Sequence, residues 1–232
     1  MMRRNRQITA ITAVVAVIII NELFAPAAHA EGPAPLGGGA GITVNDTACT
    51  LTTIGHDNSG ALTGFTASTC GGPGSPVTAE GGPVGNVVAT NDFLHYSVIK
   101  FDPTKVTPVA NFAGFAISGV GPDPAPNDPA CKQGNASGRD CGLVRPFSDS
   151  TPDRPVSRIQ ASYQQGDEGG PVTAGDRLIG MIYSGFYTFQ GVPTLFRPVP
   201  PPSKSEIRII YTSAILADAT AKGGAGAGFS PV

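Results

Sequence analysis

Short runs of apolar residues alternate with turn-forming residues along most of the chain. The runs cover residues 60–65, 84–89, 96–101, 112–120, 142–144, 156–163, 171–172 and 178–183. Clusters of Gly, Pro, Asn and Asp separate the runs, and clusters of this kind bound β-strands. Many short strands with turns between them predict an all-β barrel or sandwich.

Two segments interrupt this pattern. Residues 121–129 contain four prolines, and proline lacks the amide donor that a sheet needs. They predict an exposed connection between an N-terminal half, 42–120, and a C-terminal half, 121–202.

The second interruption lies near the end of the chain. Ser203 and Glu206 form a capping-box pattern, which is typical of a helix start. The apolar residues that follow are Ile207, Ile210, Ile215 and Leu216. The pattern predicts a C-terminal helix within residues 203–221, followed by a Gly-rich tail over 222–232.

The N-terminus has the layout of a secretory signal peptide, with Arg3, Arg4 and Arg6 before an apolar run and Ala28-His29-Ala30 after it. The apolar run, residues 8–20, is shorter than the roughly 20 residues that span a bilayer. We therefore expect cleavage after Ala30 and no membrane span thereafter, with an uncleaved anchor as the alternative. Residues 31–41 are mostly Gly, Ala and Pro and predict a flexible lead-in.

Composition and cysteine usage narrow the class of protein. The chain is 41% hydrophobic and 14% charged with a net charge of -2, which indicates a globular core and no nucleic-acid partner. Four cysteines in an exported chain are expected to pair, and adjacent pairing gives Cys49–Cys70 and Cys131–Cys141, although three connectivities are possible. Zinc is the competing interpretation, but the short C-x-x-C spacings are missing, so we expect no metal and no cofactor.

Three segments carry a resemblance to a known family. Residues 62–70 read Leu-Thr-Gly-Phe-Thr-Ala-Ser-Thr-Cys, residues 91–99 read Asn-Asp-Phe-Leu-His-Tyr-Ser-Val-Ile, and residues 166–172 read Gly-Asp-Glu-Gly-Gly-Pro-Val. In this order they resemble segments of the trypsin-like serine proteases, in particular small secreted bacterial members such as the streptogrisins and α-lytic protease. The resemblance implies two six-stranded antiparallel β-barrels with a cleft between them and a C-terminal α-helix.

Each catalytic position of the family carries a different residue in this chain. Thr69 stands where the family has histidine, His95 where it has aspartate, and Glu168 where it has the nucleophilic serine. Asp92 lies three residues before His95 and is a poor substitute. Hydrolysis by a triad needs a hydroxyl nucleophile, a base and an acid that orients the base, so the substitutions predict a catalytically inactive homologue.

Other family positions are implied around this site. The amides of Gly166 and Glu168 are expected to form an oxyanion-type nest, which the Glu168 carboxylate is positioned to enter. Tyr183, Ser184 and Gly185 resemble the strand that lines the specificity pocket, with Tyr183 large enough to block it.

Asp167 is assigned to a buried structural contact, and His56 to a solvated loop. We also hypothesise that His95 and Glu168 meet and that the carboxylate raises the imidazole pKa. The alternative is two unconnected polar residues in a wet cleft.

These features predict a secreted, monomeric, non-catalytic serine protease homologue, located outside the cell or in the envelope, that binds a protein or peptide in the interbarrel cleft. One alternative is an active extracellular peptidase that uses a non-standard site. Another is a cell-envelope binding module that uses surface loops and the tail over residues 223–228.

Overall fold

The computed structural model of the chain describes residues 32–187 and 205–232. The strands are β1 (Ala34–Leu36), β2 (Gly41–Val44), β3 (Thr47–Thr50), β4 (Thr53–His56), β5 (Leu62–Ala67), β6 (Pro76–Ala79), β7 (Gly82–Asn91), β8 (Tyr96–Phe101), β9 (Val106–Pro108), β10 (Asn111–Phe112), β11 (Phe115–Ala116), β12 (Gly119–Val120), β13 (Pro129–Gly134), β14 (Gly138–Pro146), β15 (Val156–Ile159), β16 (Pro171–Ala174), β17 (Arg177–Tyr187), β18 (Ser205–Tyr211) and β19 (Ser230–Pro231). The helical elements are a 3₁₀ turn at Ser68–Cys70 and α1 (Thr212–Lys222).

Most strands belong to two sheets. The first has the order β19-β4-β5-β8-β7-β6-β2-β3 and forms a half-barrel. The second has the order β12-β17-β16-β13-β14-β15-β18, and a further pairing of β17 with β18 closes six of its strands into a barrel. The predicted all-β architecture with a C-terminal helix is confirmed. Because β12 pairs with β17, the second sheet begins two residues before the predicted boundary at 121.

The prediction of a helix from residue 203 onward was wrong for its first part, because residues 205–211 form β18. Ile207 and Ile209 pack in the core of the second barrel, whereas Ile210 joins the core of the first sheet. Since both faces of this segment are buried, β-branched isoleucines suit a strand better than a helix. Ser203 lies outside the described residues, and α1 begins after Tyr211 without a side-chain cap.

The lead-in was also wrongly predicted as flexible. β1 pairs in parallel with β9, and Leu36 and Ala40 are buried. Gly38 lies so close to the rest of the fold that an added Cβ would be 2.3 Å from the Ile117 side chain. The glycines here permit close backbone packing, which the composition alone does not distinguish from flexibility.

The Gly-rich tail is likewise part of the fold. β19 pairs with β4, and the ring of Phe229 packs edge-on against Phe65 at 5.0 Å between centroids. The amide of Gly226 donates to the buried Asp57 carboxylate at 3.3 Å. The tail is therefore part of the folded structure, although Gly223, Gly224 and Gly228 are exposed.

The two disulfides pair as predicted. Cys49–Cys70 joins β3 to the 3₁₀ turn, and Cys131–Cys141 links residues that face one another across β13 and β14. Within the described ranges, no helix is long and apolar enough to cross a membrane.

Candidate functional site

The backbone around Glu168 is held by residues of both sheets. The amide of Thr50, on β3, donates to the Glu168 carbonyl at 2.9 Å, and the Gly169 amide donates to the carbonyl of Ile182, on β17, at 2.7 Å. Gly169 has a φ of 85°, and a Cβ there would lie 2.2 Å from the Thr50 carbonyl oxygen. Only glycine fits this position, so the loop is fixed where the two sheets meet.

Asp167, the residue before Glu168, holds the same loop through buried contacts. Its side chain is fully buried and accepts backbone N–H groups from Ala136, Ser137 and Gln164, each at 3.0 Å. The buried ammonium of Lys132 lies 3.5 Å from the carboxylate. Burial lowers the pKa of Lys132, and the attraction of Asp167 opposes that change. The structural role predicted for Asp167 is therefore confirmed by its contacts.

The carboxylate of Glu168 occupies half of the predicted oxyanion nest. Its Oε2 accepts the Gly166 amide at 2.8 Å, and its Oε1 accepts the hydroxyl of Tyr163. The Gly166 amide is thus directed at the chain's own carboxylate. A ligand carbonyl has to displace that negative charge before it can bind the same amide.

Tyr163 also fills space beside the predicted pocket strand. Its ring lies against Gly185, where an added Cβ would be 2.3 Å from Tyr163 Cγ. Sequence reasoning did not identify Tyr163 as a site residue. The signal in the sequence was a bulky residue five positions before Glu168, because a side chain at that spacing can fold back onto the loop that carries Glu168.

His95 does not take part in the hypothesised pair with Glu168. Its ring stacks on Tyr183 with 4.2 Å between centroids and 5° between planes. Burial lowers the pKa of His95, the positive charge of Arg154 lowers it further, and the carboxylate of Asp92 opposes them. The expected rise in the imidazole pKa was therefore wrong, because His95 stacks on an aromatic ring, and its burial and the charge of Arg154 together outweigh Asp92.

The backbone at His95 is set by a turn. His95 has a φ of 57°, a left-handed conformation that His adopts more readily than most residues. Its carbonyl accepts the Ser68 amide at 2.9 Å, which brings it beside the 3₁₀ turn that carries the exposed Thr69. In the described part of the chain, no hydrogen bond joins the side chains of Thr69, His95 and Glu168.

The predicted site residues therefore meet at one junction, but in an arrangement different from a triad. Tyr183, Ser184 and Gly185 lie on β17, next to Ile182, whose backbone pairs with Gly169 and Gly170. His56 is exposed at the end of β4, as predicted.

The main cavity of the described residues lies away from the junction, and these residues form no metal centre. A cavity of about 930 Å³ opens between β1 and the β6–β7 turn, and none of the junction residues lines it. Across residues 32–187 and 205–232, no group of three or more His, Cys, Asp or Glu side chains is placed to hold a metal ion.

Several solved structures have a similar chain path and are named as proteases or a chymotrypsin. Nocardiopsis protease has a TM-score of 0.65 and 17% identity over 80% of this chain and 96% of its own. Thermobifida fusca protease A has a TM-score of 0.64 and 17% identity over the same shares. Cellulomonas bogoriensis chymotrypsin has a TM-score of 0.59 and 20% identity over 79% of this chain and 95% of its own.

These similarities define the fold. No protein-family model and no curated protein sequence matches the chain. The chain has the trypsin-like serine protease fold, as the three sequence segments predicted.

Proposed function

We propose that the chain is an exported, catalytically inactive homologue of the trypsin-like proteases that acts by binding a protein or peptide at the junction of its two sheets. The observation that carries the proposal is the bond from the Gly166 amide to the Glu168 carboxylate. The nucleophile position holds an anion, and that anion occupies a donor that a peptidase directs at its substrate.

The chemistry of the three positions supports inactivity. Removing the serine or the histidine from a triad lowers turnover about a millionfold, and only about 10³ to 10⁴ over water remains from the oxyanion hole and binding. Here one donor of that hole is already bound by Glu168. A glutamate that activates water needs a second carboxylate nearby, and His95 stands at the position that would supply it.

Export is supported by the two disulfides, since disulfides persist in oxidising compartments. The predicted signal peptide, residues 1–30, lies outside the described residues. Cleavage after Ala30 and a monomeric state remain parts of this proposal.

The second candidate is an active extracellular peptidase that uses a non-standard site. It is favoured by the fold neighbours, which are named as proteases and a chymotrypsin. In that case Glu168 would be required for turnover, whereas an inactive homologue has no peptidase activity to lose when Glu168 is replaced.

Restoring the family residues tests which features block catalysis. One variant combines Thr69→His, His95→Asp and Glu168→Ser, and a second adds Tyr163→Gly to clear the space against Gly185. We expect casein cleavage only in the second variant, because Tyr163 fills the predicted pocket in the first. The matched control carries Glu168→Ala in place of Glu168→Ser and should not cleave.

The proposal is overturned if the unmodified chain cleaves casein at a rate comparable to the restored variant. Silence of every variant, with folding verified by circular dichroism, would show that Tyr163 and the three positions do not account for the inactivity. Liquid chromatography with mass spectrometry identifies the cleaved bonds in either case.

A further inference from the structure

Arg208 is held between two aromatic rings close to the junction. Its guanidinium lies 4.7 Å from the centroid of Phe147 and 4.9 Å from that of Phe186. Its Nε is buried and has no hydrogen-bond partner, and no carboxylate of the described residues forms an ion pair with it. Stacking occupies the faces of a guanidinium and leaves its edge for planar acceptors.

A second arginine is presented in the same manner. The guanidinium of Arg154 lies 5.6 Å from the centroid of Phe93, a ring that is 56% exposed. Its guanidinium donates a hydrogen bond to the Asp149 carbonyl at 3.2 Å. The exposed ring of Phe93 therefore presents apolar area beside the positive charge of Arg154.

Tyr183 connects the two arginines. Burial raises the pKa of its phenol, and the positive charges of Arg208 and Arg154 both act against that rise. Arg154 also acts on His95, the ring stacked on Tyr183. The strand pairing agrees: Ser184, the residue after Tyr183, pairs with Arg208, and Arg154 lies against Phe93, two residues before His95. Both guanidinium groups therefore lie near the stacked His95 and Tyr183 rings.

The residues that form this feature are here called the cation–aromatic surface: Phe93, Phe147, Arg154, Tyr183, Phe186 and Arg208. Asp92 and Asp149, the carboxylates that act on His95 and Tyr183, lie at exposed positions where solvent screens their charge. The buried Glu206 lies opposite Phe186 across β17 and β18, and its ion pair is with Arg158 at 3.4 Å. The surface therefore combines positive charge with apolar rings.

Two side chains already occupy the space beside this surface at the junction. Tyr163 packs against Gly185, and Glu168 binds the Gly166 amide. Side-chain insertion beside β17 is blocked, whereas the stacked arginines remain partly exposed. Arginine edges match carboxylates in a bidentate geometry, and aromatic rings add apolar contact area.

We propose that the cation–aromatic surface binds an acidic stretch of polypeptide, with ligand carboxylates on Arg154 and Arg208; this inference rests on the proposed binding function and specifies its ligand. The apolar rings contact the aliphatic parts of the same residues. A basic or neutral peptide lacks the groups that the two guanidinium edges require.

Fluorescence anisotropy with matched peptides tests the inference. The probe is a fluorescein-labelled octapeptide of alternating Glu and Ala, and its counterpart carries Gln in place of every Glu. We expect saturable binding of the Glu peptide, at least about tenfold tighter than that of the Gln peptide. Binding of the Glu peptide should weaken several-fold between about 50 and about 300 mM NaCl, because the Debye screening length falls from over about 10 Å to under about 8 Å across that range.

Single substitutions locate the binding. Arg154→Gln and Arg208→Gln should each weaken the Glu peptide about tenfold. The control is Arg139→Gln, because Arg139 is exposed and likewise lies near an aromatic ring, that of Phe115 at 5.8 Å, but outside this surface. Its effect should stay under about twofold, and the comparison of Glu and Gln peptides remains informative if the Arg208 variant fails to fold.

The inference is overturned if both peptides bind with equal affinity or if neither binds. It is also overturned if all three arginine variants lose the same amount of affinity for the Glu peptide. Binding of the Gln peptide alone would refute the acidic ligand and leave the non-catalytic binding function intact. Cleavage of either peptide, detected by mass spectrometry, would refute the proposed function itself.

Discussion

Replacing Glu168 with alanine tests the contact on which the account depends. The change leaves the buried Gly166 amide without its acceptor at 2.8 Å and removes the acceptor of the Tyr163 hydroxyl. Hydrogen bonds to charged groups contribute about 1.5 to 3 kcal/mol each, and the half-buried phenol can recover part of its bond from water. We expect the free energy of unfolding to fall by about 3 kcal/mol.

The loss should appear as a lower midpoint of thermal unfolding. In a chain of this size 1 kcal/mol corresponds to about 2 to 4 °C, so Glu168→Ala should unfold about 6 to 12 °C below the unmodified protein. The chain has no tryptophan, so far-ultraviolet circular dichroism is the suitable probe. Glu168→Gln keeps an acceptor for Gly166 and should lose about half as much.

A small anion should restore part of the stability of Glu168→Ala. If acetate enters the vacated nest with a Kd of about 10 mM, 100 mM acetate returns about 1.4 kcal/mol. The surface control Glu80→Ala, at an exposed position, should change stability by no more than about 0.5 kcal/mol. A fall of less than about 0.5 kcal/mol in Glu168→Ala, or an equal acetate effect in the unmodified protein, would refute the reasoning.

Two further predictions concern charged groups around the same loop. Asp167→Asn leaves the buried Lys132 ammonium without its counter-ion, so urea unfolding should show a loss of about 3 to 5 kcal/mol at an unchanged m-value; a loss below about 1 kcal/mol would contradict a structural ion pair. His95, whose pKa is lowered in the folded state by burial and by Arg154, stabilises the fold fully above its unfolded pKa of about 6.5 and loses that contribution as the pH falls below it. The midpoint of thermal unfolding should therefore depend less on pH between about 7.5 and about 5.5 in His95→Asn than in the unmodified protein. Asparagine is a suitable replacement because it also tolerates the left-handed backbone at this position. An unchanged pH dependence would show that His95 does not cause the loss of stability at lower pH.

The features that were predictable from the sequence depend on local patterns with a strict backbone requirement. The segment from Gly166 to Gly170 was recognisable through its resemblance to the protease family, and the structure shows that Gly169 meets the Thr50 carbonyl where only glycine fits. Adjacent pairing of the cysteines was the expectation among three possible connectivities, and the structure has that pairing. Turn residues between short apolar runs predict the all-β class without knowledge of strand pairing.

The features that were missed depend on contacts between distant parts of the chain. The segment containing Glu206 and Ile207 fits the start of a helix or a buried strand equally well, and only burial on both faces selects the strand. The glycines near Gly38 are typical of a flexible segment in the sequence, and only the structure shows that Ile117 packs against Gly38. The ring of His95 stacks on Tyr183, which is 88 residues away in the sequence, and no local pattern predicts that contact.

The most direct test of the central claim is whether the unmodified protein hydrolyses peptide bonds. Purified protein is incubated with casein and with a mixed-peptide library, alongside Glu168→Ala, and the products are identified by mass spectrometry. The account predicts no cleavage above the buffer control in either sample. Cleavage by the unmodified protein that disappears in Glu168→Ala would contradict it and make Glu168 a catalytic residue.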